Sequence, residues 1–452
     1  MALVSSGEGE ARDRSGPVQG LLDQTRGGWP LVGLLMLIQV VSYVDRFLPS
    51  LLSAPLKRDL HLSDFQLGLL LGPAFAVFYV AVGLPFGWAA DRFSRRGILA
   101  FGITVWSVMT SLAGLATAFL PLFAARLGVG FGEAAVAPCA ISMISDRFDA
   151  RRRPRAVSLY MAGSFIGAGS AFLFGGPLVA LIQSAAPLGH AVRPWQATFM
   201  ILGVPGLLLS AAVLLVREPA RSGAVQTSGG SLTNALGYVL KNWRAFGVVF
   251  VGSSAMVTLG SLSLWNVALF QRTWGWRVAE TGVATGLLFL TAGPLGTVIG
   301  IWLTQRWARK GTHDATLRAL LSGLALAAPG FMLYPLAPSA PIALAGLFLA
   351  FTGQSMATAA GPAALTFLAP GRIRSQATAL YYLVISIAGQ LLGPPPVGLM
   401  VDLFKRPEAL RYAVSIEAVS VSAPALLVIF LGMKAYRSAA KTLAADEGEL
   451  SG

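Results

Sequence analysis

Gly87-Trp88-Ala89-Ala90-Asp91-Arg92-Phe93-Ser94-Arg95-Arg96 decides the architecture of this chain. This short basic loop is caught between two apolar runs, 64–90 and 97–118. Each run is near the roughly 20 residues that a helix needs to cross a bilayer. The order of residues has physical content. Gly87 permits close helix approach, and Asp91 can accept hydrogen bonds from the N–H groups of a neighbouring helix N-terminus. Arg92, Arg95 and Arg96 can latch onto carboxylates across an interface between two halves of a protein. Asp146, at the inner end of the fourth apolar run, is the expected partner of Arg92.

Outward from this loop the pattern repeats. Spans are read at 29–52, 64–90, 97–118, 120–145, 155–183, 195–216, 245–270, 278–304, 314–335, 340–368, 374–401 and 410–433. The chain has 452 residues, 55% of them hydrophobic and 12% charged. A soluble chain carries about 25% charged residues. The expectation is an all-α polytopic membrane protein with 12 transmembrane helices. Its positive charge alternates between loops. One side carries Arg12, Arg14 and Arg26, the 92–96 and 147–155 clusters, the 217–244 loop, the 306–318 and 372–374 clusters and the tail from Lys434. The other side holds Lys57, Arg58, Arg193, Arg272, Arg277, Lys405, Arg406 and Arg411. Positive charge stays inside, which predicts cytoplasmic termini at both ends. The net charge of +14 is thus a topology signal, and no nucleic-acid partner is expected.

Residues 1–28 lack the apolar core of a signal peptide and read as a disordered cytoplasmic arm. The longest loop, 217–244, carries Ser228-Gly229-Gly230-Ser231 and divides the chain into bundles at 29–216 and 245–433, followed by a tail at 434–452. Within the loop, 232–243 can form a short amphipathic helix on the inner leaflet. The bundles read as repeats. Arg155-Ala156-Val157-Ser158-Leu159-Tyr160 and Gln376-Ala377-Thr378-Ala379-Leu380-Tyr381 open equivalent spans at an offset of 221, which sets Gly132 on Gly353 and Glu133 on Gln354. Duplicated bundles around a midplane site are a recurring transporter plan. Cys139 excludes an internal disulfide. His61, His190 and His313 form no metal spacing, and no glycine-rich nucleotide loop or nucleophile–base spacing occurs. No enzyme activity, metal or cofactor is expected, the energy coming from a proton gradient.

Charges inside the spans are the functional signal, because ionisable groups in hydrocarbon are costly and default to function. Span one carries Asp45 and Arg46 beside a polar stripe of Gln39, Ser42, Tyr43, Ser50 and Ser53. Span four carries Arg126 and Glu133 on one face. At about 1.5 Å rise per residue, Asp45, Arg46 and Arg126 share a level in the outer third, with Glu133 near the middle. With both carboxylates ionised the set is neutral. Protonation of Asp45 or Glu133 would free an arginine to bind an anionic head group. Arg46 and Arg126 are therefore the expected anion-binding residues, with Tyr43, Gln354, Asn266 and Tyr381 as further substrate contacts. Glu417 is expected to sit near Arg411 in a structural role.

Two parallel six-helix halves and the G-x-x-x-D-R-x-x-R-R loop resemble the major facilitator superfamily, with a degenerate second copy at Trp302–Lys310 in which Gln305 replaces the aspartate. Three segments narrow the resemblance: Tyr43-Val44-Asp45-Arg46 followed by Leu60-His61-Leu62-Ser63-Asp64-Phe65-Gln66-Leu67-Gly68, then Arg126–Ala134, and Gln376–Tyr381 with Gly393-Pro394. Together they resemble bacterial members of the spinster-like family. That resemblance implies secondary transport of sphingosine phosphates or lysophospholipids, often proton-coupled, with Gly87, Asp91, Arg92, Arg95, Arg96 and Asp146 controlling the inner gate. The expected function is proton-linked alternating-access transport of an amphipathic anion by a monomer surrounded by membrane lipids. The alternatives are transport of a small organic acid or drug, and a transporter-like sensor without net flux.

Overall fold

The computed structural model describes residues 28–149, 151–185, 192–221, 232–312, 314–406 and 408–449. The N-terminal arm, the Ser228–Ser231 stretch, His190 and His313 lie outside the described residues. Twelve helices among the described residues are long and apolar enough to cross a membrane. Spans one to six are Gly28–Leu51, Asp64–Arg92, Arg95–Ala113, Phe119–Arg147, Arg153–Ile182 and Pro194–Leu215. Spans seven to twelve are Trp243–Trp274, Val278–Arg309, Ala315–Leu336, Ala340–Thr366, Gln376–Phe404 and Ala409–Leu443. The linker holds a ten-residue helix, Leu232–Lys241. The last helix runs on to Glu449, well beyond the expected end of span twelve at 433. Tyr436 explains the extension: it is fully buried there, and its hydroxyl donates to the Ala364 carbonyl at 3.0 Å.

The membrane side that carries the 87–96 loop is here called the motif face, and its opposite the far face. The internal repeat is visible in atomic detail. Gly132 of span four packs against the Gly102 carbonyl and the Trp106 amide of span three. Gly353 of span ten packs against the Gly323 carbonyl and the Ala327 amide of span nine. Every partner is shifted by the 221 residues read from the sequence. A side chain at either glycine would force these helix pairs apart, since small residues set how closely membrane helices approach.

The two main helix pairs that join the halves are span two with span eleven and span five with span eight, while span one also touches span seven. Both crossings use bare backbone. Gly68 lies against the Pro394 carbonyl, Gly398 against the Asp64 carbonyl, and Gly282 against the Phe172 carbonyl. Spans two and eleven are each interrupted, at Gly72-Pro73 and Gly393-Pro394. A proline cannot donate to the carbonyl four residues before it. The Gln390 carbonyl that Pro394 leaves unpaired lies against Gly72 of the other half.

The polar contacts that join the halves, among the described residues, also sit at the far face. Asp402 of span eleven accepts from the backbone N–H groups of Asp64 and Phe65 at 2.9 and 2.8 Å, capping span two from outside its own half. Arg272 of span seven bonds the Asp64 carboxylate at 2.7 Å, and Lys57 pairs with the same carboxylate. Ser50 donates to the Leu264 carbonyl at 2.6 Å. These contacts seal the halves together at the far face.

This seal generates a test. Removing the cap by Asp402→Ala costs about 1 kcal/mol, roughly fivefold in the balance between far-closed and far-open states. Gly398→Val drives a side chain into the Asp64 carbonyl and should open the seal further. The only cysteine, Cys139, is buried, so buried Ser53→Cys at the far face reports cleanly. Its labelling by a membrane-impermeant maleimide is expected to rise several-fold in both variants. Unchanged labelling would mean that these contacts do not hold the gate.

Candidate functional site

The four intramembrane charges meet between spans one and four as two crossed ion pairs. Each arginine binds the carboxylate carried by the other helix. Arg46 of span one reaches Glu133 of span four at 3.0 Å. Arg126 of span four reaches Asp45 of span one at 3.3 Å, and also approaches the Asp45 carbonyl at 3.5 Å. Local structure sets this up. Gly130 lets span four lie against the Phe75 carbonyl of span two. Just below Glu133 the helix tightens, with Ala135 N–H bonding the Gly132 carbonyl three residues back at 3.3 Å. Pro138, which has no N–H, leaves the Ala134 carbonyl without its helical donor. Glu133 therefore ends a helical segment and points across to span one.

The two pairs are not equivalent. Asp45 has both carboxylate oxygens engaged, one by Arg126 and the other by the Thr110 hydroxyl of span three at 2.9 Å. Arg126 and Asp45 are both buried, so this pair is closed. Glu133 is bound on one oxygen only, by Arg46 and by the Ser42 hydroxyl at 2.7 Å. Its second oxygen, Oε1, is buried with no hydrogen-bond partner. Arg46 is the exposed arginine, with 22% of its side-chain surface accessible against 2% for Arg126. Its guanidinium lies over three rings: Phe75 at 4.3 Å, Tyr43 at 4.7 Å and Tyr79 at 5.2 Å. Ring faces attract cations, so Arg46 keeps a favourable setting even when Glu133 lets go. Motif-ward of this, Gln39 accepts from Tyr160 and donates to Ser164, both at 3.0 Å, which ties span one to span five.

Immediately on the far side of Arg46 an aromatic plug crosses between the halves. Phe47 of span one and Phe172 of span five lie 5.0 Å apart by ring centroid. Phe172 stacks on Phe289 of span eight at 5.6 Å, and Phe289 meets Phe351 of span ten at 4.4 Å. The exposed part of Arg46 therefore faces the motif side. Thr110, Tyr79 and this plug were not singled out in the sequence, because aromatic and threonine residues are ordinary in apolar spans and only the tertiary contact marks them.

The motif loop departs from expectation in three ways. Asp146 pairs with Arg95, not Arg92. Arg95 begins span three and is buried, so helix phase aims it inward, where it also bonds Ser142 at 3.1 Å, Glu218 at 3.2 Å and the Pro219 carbonyl at 2.7 Å. Arg92 remains exposed and lies over the Trp88 ring at 4.4 Å. Second, these bonds fall within the first half and the start of the linker and do not cross between halves. Arg96 bonds the Leu214 and Val216 carbonyls, both at 3.3 Å. Third, Gly87 has open space beside it and brings no helix close, and the Asp91 side chain is exposed. The Asp91 carbonyl accepts from Arg221, which also bonds the Phe93 carbonyl at 2.7 Å and so caps span two from the linker. Among the described residues, no hydrogen bond or ion pair joins these loop arginines to the second half.

Glu218 is the residue the sequence reading missed here. Desolvation works to raise its pKa, but hydrogen bonds from Ser94 at 2.5 Å and from Arg95 outweigh it and hold the carboxyl below its usual range. The second half inverts the polarity of this knot. Buried Asp314 is gripped by Arg318 at 2.9 Å and by Arg437, and their hydrogen bonds likewise hold it low against desolvation. The degenerate loop keeps one element of the first, Arg306 lying over the Trp302 ring at 5.2 Å.

The second-half candidates are not brought together with the charges. Asn266 is wholly buried and its amide oxygen accepts from Tyr334 at 2.8 Å, so it joins spans seven and nine instead of facing a cavity. Tyr381 is almost wholly buried and packs 5.8 Å from Phe250 by ring centroid. Gln354 is half-buried and lies against Gly260 of span seven. Arg411 does not accompany Glu417. It bonds the Pro335 and Ala337 carbonyls at 2.7 and 2.9 Å, pinning the turn between spans nine and ten, and Glu417 is buried within span twelve.

Comparison with known proteins agrees with this architecture. The family described as the Major Facilitator Superfamily matches residues 35–394. An MFS-type efflux pump of Mycolicibacterium smegmatis is 31% identical over 396 residues, covering 86% of each chain. Protein spinster homolog 1 of Xenopus tropicalis is 25% identical over 427 residues, covering 89% of this chain and 78% of its own. The crystal structure of a bacterial homolog of the human lysosomal transporter Spinster, inward-facing and unoccupied, matches with a TM-score of 0.77 at 25% identity, over 93% of this chain and 98% of its own. Twelve apolar helices in two repeated halves, an unequal pair of buried ion pairs and these matches together make the chain a spinster-like integral membrane transporter, and not an enzyme, of the major facilitator superfamily.

Proposed function

We propose that the protein is a proton-linked secondary transporter that carries an amphipathic anion, of the lysolipid or sphingosine-phosphate kind, by alternating access. In this reading the motif face is cytoplasmic and the chain works as a monomer in a bacterial inner membrane. One observation carries it: Arg46 is accessible and Glu133 Oε1 has no partner, whereas Arg126 and Asp45 are both buried with both Asp45 carboxylate oxygens bonded.

The mechanism follows from that inequality. A proton arriving from the motif face adds to Glu133 at its unpartnered Oε1 and cancels the negative charge that holds Arg46. The guanidinium keeps its three aromatic faces and turns its N–H groups to the anionic head of the cargo, which a planar fork can grip by two parallel bonds. Loss of the proton restores the ion pair and expels the cargo. Asp45 and Arg126 hold spans one and four in register throughout, so Glu133 carries the proton and Asp45 serves as its support. Tyr43 is positioned to contact cargo beside Arg46. The loop residues Asp91, Arg92, Arg95, Arg96 and Asp146 act as the motif-face gate, with Gly87 making room for helix approach once that face closes. The Mycolicibacterium relative is described as an efflux pump, which favours a second reading: export of a small organic acid or drug-like anion through the same site.

Flux into liposomes with an imposed pH gradient tests these assignments. Glu133→Gln is expected to abolish gradient-driven accumulation while leaving cargo binding and downhill exchange. Asp45→Asn strips Arg126 of its counter-charge, and breaking a buried pair costs about 3–5 kcal/mol. It should therefore lower the melting temperature and the yield of folded protein, with coupling intact in the molecules that survive. Full coupled flux in Glu133→Gln would refute the proton assignment. Arg46→Lys should weaken cargo binding at least tenfold, because an ammonium cannot make the bidentate contact. Competition by lysolipids against a labelled organic acid separates the two cargo readings.

A further inference from the structure

Outside the charge set, the most chemically committed surface lies at the motif-face corner where the linker helix, the start of span seven and the end of span twelve meet. The linker helix buries Ala235 and Val239 against the second half and turns Leu236 and Leu240 outward, 43% and 61% exposed. Trp243, the first residue of span seven, continues that apolar ridge. A short helix with one face packed and apolar residues exposed at the level of a bilayer surface suits the lipid interface.

Behind the ridge is a cavity of about 530 Å³ lined by Lys241, Asn242, Arg244, Ser438 and Thr442 among others, with no carboxylate among the described residues of its wall. Lys241 and Arg244 are exposed. Span seven begins here, one residue after the linker helix ends, so the positive end of one helix meets the negative end of the other. Asn242 does not cap span seven, since its amide donates instead to the Tyr238 carbonyl at 3.0 Å. Two cationic side chains and nearby hydroxyls converge on one cavity, and such a set suits a phosphate.

We infer that this cavity binds the phosphate headgroup of an anionic glycerophospholipid, whose acyl chains lie along Leu236, Leu240 and Trp243. The apolar ridge beside the cavity argues for a lipid over a soluble phosphate. Because the linker is the covalent joint between the bundles, a lipid seated here fastens the linker helix to the second half as the bundles rock. The site is separate from the cargo site and does not depend on which cargo is carried.

The full chain is purified and mixed with equal phosphatidylglycerol and phosphatidylcholine, and native mass spectrometry counts the lipids retained. Preferential retention of one phosphatidylglycerol is expected, falling roughly tenfold or more in the Lys241→Gln/Arg244→Gln double variant. Lys434→Gln, an exposed lysine of the same face outside the cavity, should retain it like wild type. The proposal is overturned if wild type holds the two lipids equally, or if the double variant keeps its phosphatidylglycerol. Displacement of the lipid by millimolar inorganic phosphate would also overturn it, marking a soluble-anion pocket. The wild-type comparison of the two lipids stands even if the double variant does not fold.

Discussion

A charge in a low-dielectric interior must be paired, and spans one and four meet that constraint by exchanging partners. Because each helix holds the other's counter-charge, neither can slide or rotate without stranding two ions. Stranding a buried charge costs several kcal/mol, more than most helix contacts in a membrane supply. Thr110 fastens span three to the same knot, Ser42 adds a second donor to Glu133, and Gln39 ties span one to span five. The first bundle is therefore rigid about its centre, and motion is left to the seams between bundles, where glycine meets carbonyl.

The two bundles share a backbone plan and differ in chemistry. Glycine contacts repeat faithfully at the 221-residue offset, yet Glu133 faces Gln354 across the repeat and Asp45 faces Asn266. An amide can replace a carboxylate as a packing group but cannot exchange a proton in the working range. The first bundle keeps the ions while the second supplies aromatic and amide surface, and the inverted knot around Asp314 shows the same freedom to change sign while keeping the architecture.

Much of the fold was legible because membranes impose strong one-dimensional signals: apolar length, alternation of positive loops, and duplication. The identity of the four charged residues was legible for the same reason. Partner choice was not. Assigning Asp146 to Arg92 overlooked helix phase, since Arg95 opens the next helix and points inward while Arg92 stacks on its own Trp88. Glu218, Asp402, Thr110 and Tyr79 act through contacts between residues distant in sequence, which no local spacing encodes. Asn266 read as a cargo contact from its place in the repeat, and only the approach of Tyr334 reveals it as a packing group.

The aromatic plug beside Arg46 has an electrical consequence. With the far side dry and Arg46 accessible toward the loop side, a transmembrane voltage drops mainly across the stacked rings of Phe47, Phe172, Phe289 and Phe351. The ion pairs then sit near the potential of the loop-side solution while this conformation lasts. In the proposed cycle, rocking of the bundles would shift the insulating layer to their other side, and any unbalanced charge on Glu133, Arg46 and cargo would have traversed most of the field without travelling far. Each elementary charge so transferred is worth about 2.3 kcal/mol per 100 mV, so under the coupling proposed above the ratio of protons to cargo anions would fix whether the cell's voltage aids or opposes the cycle.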